Sequence, residues 1–137
     1  VGLFTLPLAR RYANVVGVEA SASAAADLAA NAKAHGLANI RTAAASAQNF
    51  LRRLAQRGID LVVLDPPRAG VEASVLRLLM GLQPKRIHYV SCSPPTLARD
   101  LALLVTQGYA LESVEMFDFF PHTYHLESLV RLVRRDA

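Results

Sequence analysis

RIHYVSCSPPTLARDLALLVTQGY, Arg86 to Tyr109, decides how this chain folds. RIHYVSC (Arg86–Cys92) is a short apolar run rich in strand-forming residues. Pro94 and Pro95 lack the N–H a sheet ladder needs, so a strand ends before them. TLARDLALLVTQGY then spaces its apolar residues as a helix does, with Gly108 as a stop. A strand feeding a helix is half of the repeating unit of a parallel α/β sheet.

The same alternation continues on both sides. Upstream, FTLPLARRY is the tail of a helix or a loop entering one. VVGVEA (Val15–Ala20) is a short apolar run ending in an acid. Ser21 and Ser23 are candidate N-caps for an alanine-rich helix through Ala34, and Gly36 is its stop. IRTAAA (Ile40–Ala45) is a strand candidate, and QNFLRRLAQRG is helix-like up to Gly58. IDLVVLDPP (Ile59–Pro67) is a buried strand stopped by its prolines, and ASVLRLLMGL is a helix. YALESVEMFDFF and HLESLVRLVRR are candidates for the last two strands, although the apolar spacing of the second also fits a helix. The expected fold is α/β with a mostly parallel sheet, in a single domain over residues 1–137.

Composition narrows the class. Of 137 residues 53% are apolar, enough for a core, yet no apolar run approaches the ~18 residues of a membrane span. The first segment, VGLFTLPLARRY, is too short for a secretory signal and carries its charges on the wrong side. A single cysteine forms no internal disulfide and fits a reducing, cytoplasmic setting. It also excludes a multi-cysteine zinc or iron–sulfur site within this chain. His122 and His125 stand three apart without a third ligand at metal spacing, so no metal site is expected. The net charge of +4 fits either an arginine-rich solvated surface or contact with a polyanion such as RNA.

In parallel α/β sheets, ligands bind at the carboxyl ends of the strands. Those ends carry Glu19, Asp65 and Cys92. An acid at the place of Glu19 commonly accepts hydrogen bonds from ribose hydroxyls, or it complements the helix dipole that follows. Asp65 precedes two prolines that stiffen the backbone, which suits either a pocket wall or an ordinary turn. A free cysteine is more often packing than chemistry. Around Cys92, however, stand Ser91, Ser93, Pro94 and Pro95, poor choices for filling a core. A helix starting near Thr96 and the charge of Arg99 would favour its thiolate. Near the carboxyl end, Phe117, Phe119, Phe120 and Tyr124 precede Glu127. Aromatics beside a carboxylate can stack a planar base, or they close a hydrophobic segment with Glu127 at the surface.

Taken in order, LVVLDPPRAG, YVSCSPPTLARDLALL and DFFPHTYHLESLVRL resemble the consecutive signatures of the RNA uracil-5-methyltransferase family, which uses S-adenosylmethionine. VGLFTLPLAR and VVGVEAS resemble that family's first and second cofactor segments. The resemblance implies a Rossmann-like class I methyltransferase fold and methylation of carbon 5 of a uridine in ribosomal or transfer RNA. It implies Cys92 as nucleophile and Glu127 as base, with Asp65 bordering both cofactor and uracil. Glu19, Gly2 and Ser46 fall in cofactor segments, and Arg99 and Phe120 on the substrate side. The target base would be splayed out of its RNA to reach the thiol.

The sequence departs from the pattern in places. Ser93 stands where the family usually has Asn, Ser46 where an Asp usually contacts the adenine, and Leu3 where a polar residue is common. The family's first strand, its glycine turn, its upstream uracil-holding glutamine segment and its amino-terminal RNA-binding regions have no counterpart here. The chain is therefore expected to be part of a longer protein and to bind cofactor poorly alone. Two other readings compete. A cytosine-5 RNA methyltransferase would carry a second cysteine where this chain has DPPR. A non-catalytic RNA-binding domain would retain the fold without the chemistry.

Overall fold

The computed structural model describes residues 1–54, 58–119, 121–123 and 126–135. Within the chain, contacts cluster into two compact units, Val1–Leu54 and Ala55–Ala137.

The first unit runs α1 (Thr5–Ala9), β1 (Val15–Glu19), α2 (Ala22–Ala34), β2 (Ile40–Ala44) and α3 (Ala47–Arg53). β1 and β2 pair in parallel from Val15 opposite Ile40 to Glu19 opposite Ala44. Ser21 caps α2, its hydroxyl accepting from the Ala24 N–H at 3.5 Å. α2 lies close to the pair because β1 leaves room for it: a Cβ on the buried Gly17 would collide with Leu28, which is 1% exposed. Asn39 donates to the Ala9 and Tyr12 carbonyls at 2.7 and 2.8 Å, tying the end of α1 to the start of β2. The QNFLRR helix ends at Arg53, short of Gly58, because Leu54 turns extended at ψ 107°. None of its seven residues is buried, and a short helix with little packing has little to extend it.

The second unit carries β3 (Leu61–Leu64), α4 (Ala73–Gly81), β4 (Arg86–Ser91), α5 (Pro94–Thr106), β5 (Tyr109–Phe117) and β6 (Glu127–Arg134). Its sheet has the order β3-β4-β6-β5. β3 and β4 are parallel, whereas β6 runs antiparallel to both β4 and β5. This second sheet is thus mixed, parallel and antiparallel, because β5 and β6 form a hairpin instead of another helical crossover. The last segment is a strand: Ser128, Val130 and Leu132 alternate as buried residues, and β6 has a ladder on each side. Those residues face Ser91, Tyr89 and Ile87 across β4. With Leu76 and Leu79 of α4 and Leu97 and Leu104 of α5 they form the core. α5 begins at Pro94, two residues before Thr96, since proline's fixed φ suits a helix's first turn and its missing N–H costs nothing there. Among the described residues no helix is long and apolar enough to cross a membrane.

Candidate active site

Register brings three expected residues to one end of the second unit's sheet. The β4–β6 ladder runs to Ser91 opposite Ser128. One step further along that antiparallel register, Cys92 falls opposite Glu127. The β3–β4 ladder runs to Leu64 opposite Tyr89, so Asp65 comes at the level of Val90. Asp65, Cys92 and Glu127 therefore extend three consecutive strands at their shared end, and neighbouring strands lie about 4.8 Å apart. Alternation puts Cys92 on the sheet face of His88 and Val90, away from the fully buried Ile87, Tyr89 and Ser91. Cys92 is a free thiol, half-buried, and Glu127 is half-buried too.

The Cys92 turn is held from both sides. Ser91 Oγ accepts from the Ser93 N–H at 3.1 Å and donates to the Ser93 carbonyl at 3.2 Å, closing a small ring around Cys92. Thr96 Oγ1 shares its proton between that carbonyl, at 3.1 Å, and the Arg68 carbonyl, at 2.9 Å. One hydroxyl thus joins the Cys92 turn to the loop that follows Asp65.

That loop is fastened further along. Arg99 Nη2 donates to the carbonyls of Ala69 and Val71 at 2.9 and 3.4 Å. It also meets Asp100 Oδ1 at 2.7 Å, and Arg99 Nε donates to the same oxygen at 2.8 Å. Asp100, only 2% exposed, accepts from the Val71 N–H at 2.7 Å and from the Tyr89 hydroxyl at 2.6 Å. Burial, then the bond to Asp100, pushes Tyr89 above the ordinary tyrosine range, so it stays the donor. Arg99 was expected beside the substrate; its guanidinium is engaged here, although its side chain remains 57% exposed. Asp65 is exposed as a residue, yet protein around its carboxyl removes water and pushes its pKa above the usual carboxylate value.

Of the aromatics, Phe117 lies opposite Glu127 on β5 and stacks on Phe119, rings 5.7 Å apart and 7° from parallel. Both are exposed. Phe120, Tyr124 and His125 lie outside the described residues. Among the described residues no three His, Cys, Asp or Glu side chains are grouped to hold a metal.

The first unit carries the residues expected at the cofactor. Glu19 ends β1, half-buried, and its carbonyl accepts from the Ala45 N–H at 2.9 Å. Gly2 has φ +91°, and a Cβ there would meet Leu28 at 2.8 Å, so the backbone lies tight on α2. Ser46 caps α3, its Oγ accepting from the Asn49 N–H at 3.2 Å. For S-adenosylmethionine the donor set fits in part. A carboxylate at a strand end suits a ribose diol and a bare glycine suits close approach, but Ser46 offers only a hydroxyl already used as a cap.

Asp100 is not among the residues expected from the sequence. The signal was present: in PPTLARDLALL, Asp100 falls on the same helical stripe as Leu97 and Leu104. A carboxylate at a core position needs partners.

Comparison with known proteins follows the same lines. A crystal structure of Pyrococcus abyssi tRNA (uracil-54, C5)-methyltransferase in complex with S-adenosyl-L-homocysteine matches with a TM-score of 0.80. It is 33% identical, over 96% of this chain and 32% of that one. The 23S rRNA (uracil(1939)-C(5))-methyltransferase of Photobacterium angustum is 46% identical over 98% of this chain and 61% of its own length. Other curated relatives are spanned over about a third of their length, as with 31% for that of Erwinia tasmaniensis. Fold alone does not fix chemistry, since the [4+2]-cyclase SpnF shares it at TM-score 0.73 and 12% identity. The family model "tRNA (Uracil-5-)-methyltransferase" matches residues 1–135, and the chain, with its class I methyltransferase fold, belongs to that family.

Proposed function

We propose that this chain is the catalytic part of an S-adenosylmethionine-dependent RNA (uracil-5-)-methyltransferase that forms 5-methyluridine in ribosomal or transfer RNA, working in the cytoplasm. The observation that carries the reading is the register of β4 and β6, which sets Cys92 opposite Glu127, with Asp65 on the next strand.

Carbon 5 of uracil is a weak nucleophile. The Cys92 thiolate adds to carbon 6, forming a C–S bond and pushing the ring's π pair toward the carbonyl at carbon 4. Bound S-adenosylmethionine supplies the methyl group that carbon 5 takes. Glu127 then removes the carbon 5 proton. Those electrons rebuild the ring double bond, the C–S bond breaks, and Cys92 leaves as thiolate. One difficult substitution becomes several easier steps.

Asp65, whose carboxyl is pushed above the usual carboxylate value by desolvation, is assigned to hydrogen-bonding the polar edge of the uracil and the cofactor. Phe120 is assigned to stacking on the base. Arg99, whose side chain is 57% exposed, is assigned to RNA phosphate. Glu19 would hold the cofactor ribose, Gly2 would let backbone approach it, and Ser46 would stand at the adenine. The whole of residues 1–137 then serves as one catalytic domain.

The test is methyl transfer from labelled S-adenosylmethionine by the full-length protein to 23S rRNA and tRNA transcripts, followed by nucleoside analysis. Label in 5-methyluridine is expected. Label in 5-methylcytidine would make it a cytosine enzyme. RNA binding without transfer to any transcript would make it a non-catalytic RNA-binding domain.

A further inference from the structure

Three side chains from one face of α5 meet the backbone between Arg68 and Val71. Thr96, Arg99 and Asp100, at helical spacing i, i+3 and i+4, take the Arg68, Ala69 and Val71 carbonyls and the Val71 N–H. Tyr89 on β4 binds the same carboxylate from beneath. Gly70 completes the fit. Its φ is +75°, and a Cβ there would lie 2.6 Å from both Arg99 Nη2 and Asp100 Oδ2 and 3.2 Å from Thr96 Cβ. The loop is thus pressed against its clamp so closely that only glycine fits. A buried carboxylate that serves only stability is more simply replaced by an apolar side chain. Asp100 instead accepts from the loop's Val71 N–H and holds the Arg99 guanidinium that donates to the loop's outer carbonyls.

We propose that Asp100, with Tyr89, Thr96 and Arg99, is a positioning cluster that clamps the Asp65–Val71 loop to α5 and so fixes Asp65 relative to the Cys92 turn. Its effect on catalysis rests on the methyltransferase reading; its effect on the loop does not. The clamp acts through backbone alone, touching neither base nor cofactor. It uses Thr96 as the shared bond between the two loops and Asp100 as the anchor in the core. Arg99 compensates the anchor's charge while holding the outer carbonyls.

The test uses full-length protein carrying Asp100→Asn and, separately, Tyr89→Phe, which keeps the ring and removes one donor. Two readouts need no activity. In the wild type, the Asp65 carboxyl should titrate by NMR above the ordinary carboxylate value, and the Val71 amide should exchange slowly. In either variant Asp65 should move toward its ordinary value, and Val71 exchange should quicken about tenfold or more relative to Ile87 in the core. A third readout is methyl transfer, where kcat/KM should fall about tenfold or more, because small misplacements near a reacting centre are costly. Unchanged Asp65 titration and Val71 exchange in a folded variant would overturn the proposal, even if activity fell. If Asp100→Asn does not fold, Tyr89→Phe decides by the same criteria. A wild type with no methyl transfer would sink the functional reading, while titration and exchange would still decide the clamp.

Discussion

The two units present their strand ends in different ways. In the second, the Cys92 turn and the loop after Asp65 stand on a four-stranded sheet and are bound by the side chains of Ser91, Thr96, Arg99 and Asp100. In the first, Glu19 and Ser46 stand on a pair of strands, held by one ladder bond and one helix cap. On the proposed reading, the difference matches what each set is asked to do. A thiol and a base that act on neighbouring ring atoms must be fixed to within about 0.5 Å. A group that embraces a ligand gains its final order when the ligand binds.

The largest effect expected of any single change falls on the bound side. Cys92→Ala should lower methyl transfer at least ~10³-fold without unfolding the protein, checked by label incorporation and circular dichroism. Glu127→Gln should lower turnover roughly 10²- to 10⁴-fold and leave a long-lived protein–RNA adduct, because in the proposed mechanism the base acts after the C–S bond has formed. If both variants lost RNA binding instead, the pairing of Cys92 with Glu127 would serve structure and not chemistry. Leu132→Ala, fully buried between the β4 and β5 ladders, should cost about 2–5 kcal/mol in denaturant unfolding.

The less-bound side should yield smaller effects. Ser46→Ala removes the α3 cap and should cost about 1 kcal/mol, whereas Ser46→Asp, an equally good cap, should cost little. The amides of β1 and β2 should exchange faster than those of β4 and β6, since a two-stranded pair has little stability of its own. Equal protection in both would erase the contrast.

The smallest effect is one of pH. His88 is pushed below the ordinary imidazole pKa by desolvation first, then by Arg131 opposite it on β6 and by Arg86, with Glu112 opposing. The folded state therefore binds this proton less readily than the unfolded chain. Stability is present above the unfolded pKa of about 6.5 and is lost as pH falls through that value toward the lower folded one. His88→Gln should flatten that part of the stability profile.

Much of the fold was legible because local signals agreed with packing. The stops at Gly36 and Gly108, the strand ends before Pro66 and Pro94, and the cap at Ser21 all stand where the residues ask for them. What was not legible depended on partners far along the chain. HLESLVRLVRR fits a helix or a strand until β4 and β5 are seen on either side of it. QNFLRRLAQRG carries helix-forming residues past Arg53, but Leu54 turns extended and none of Ala47–Arg53 is buried. For the site, Cys92, Asp65 and Glu127 were visible as residue types in telling places. That Cys92 and Glu127 share a register step was not, because 35 positions of chain separate them. Arg99 looked like a charge for the thiol, whereas the buried Asp100 beside it draws the guanidinium onto the loop.

The central claim is that Cys92 attacks carbon 6 and Glu127 later removes the carbon 5 proton. RNA carrying 5-fluorouridine replaces that proton with fluorine, which no base can remove. Incubated with full-length protein and S-adenosylmethionine, it should trap a covalent protein–RNA species on a denaturing gel, absent from Cys92→Ala. If methylation of ordinary RNA proceeds but no such species forms, or if it persists in Cys92→Ala, the account of Cys92 is wrong.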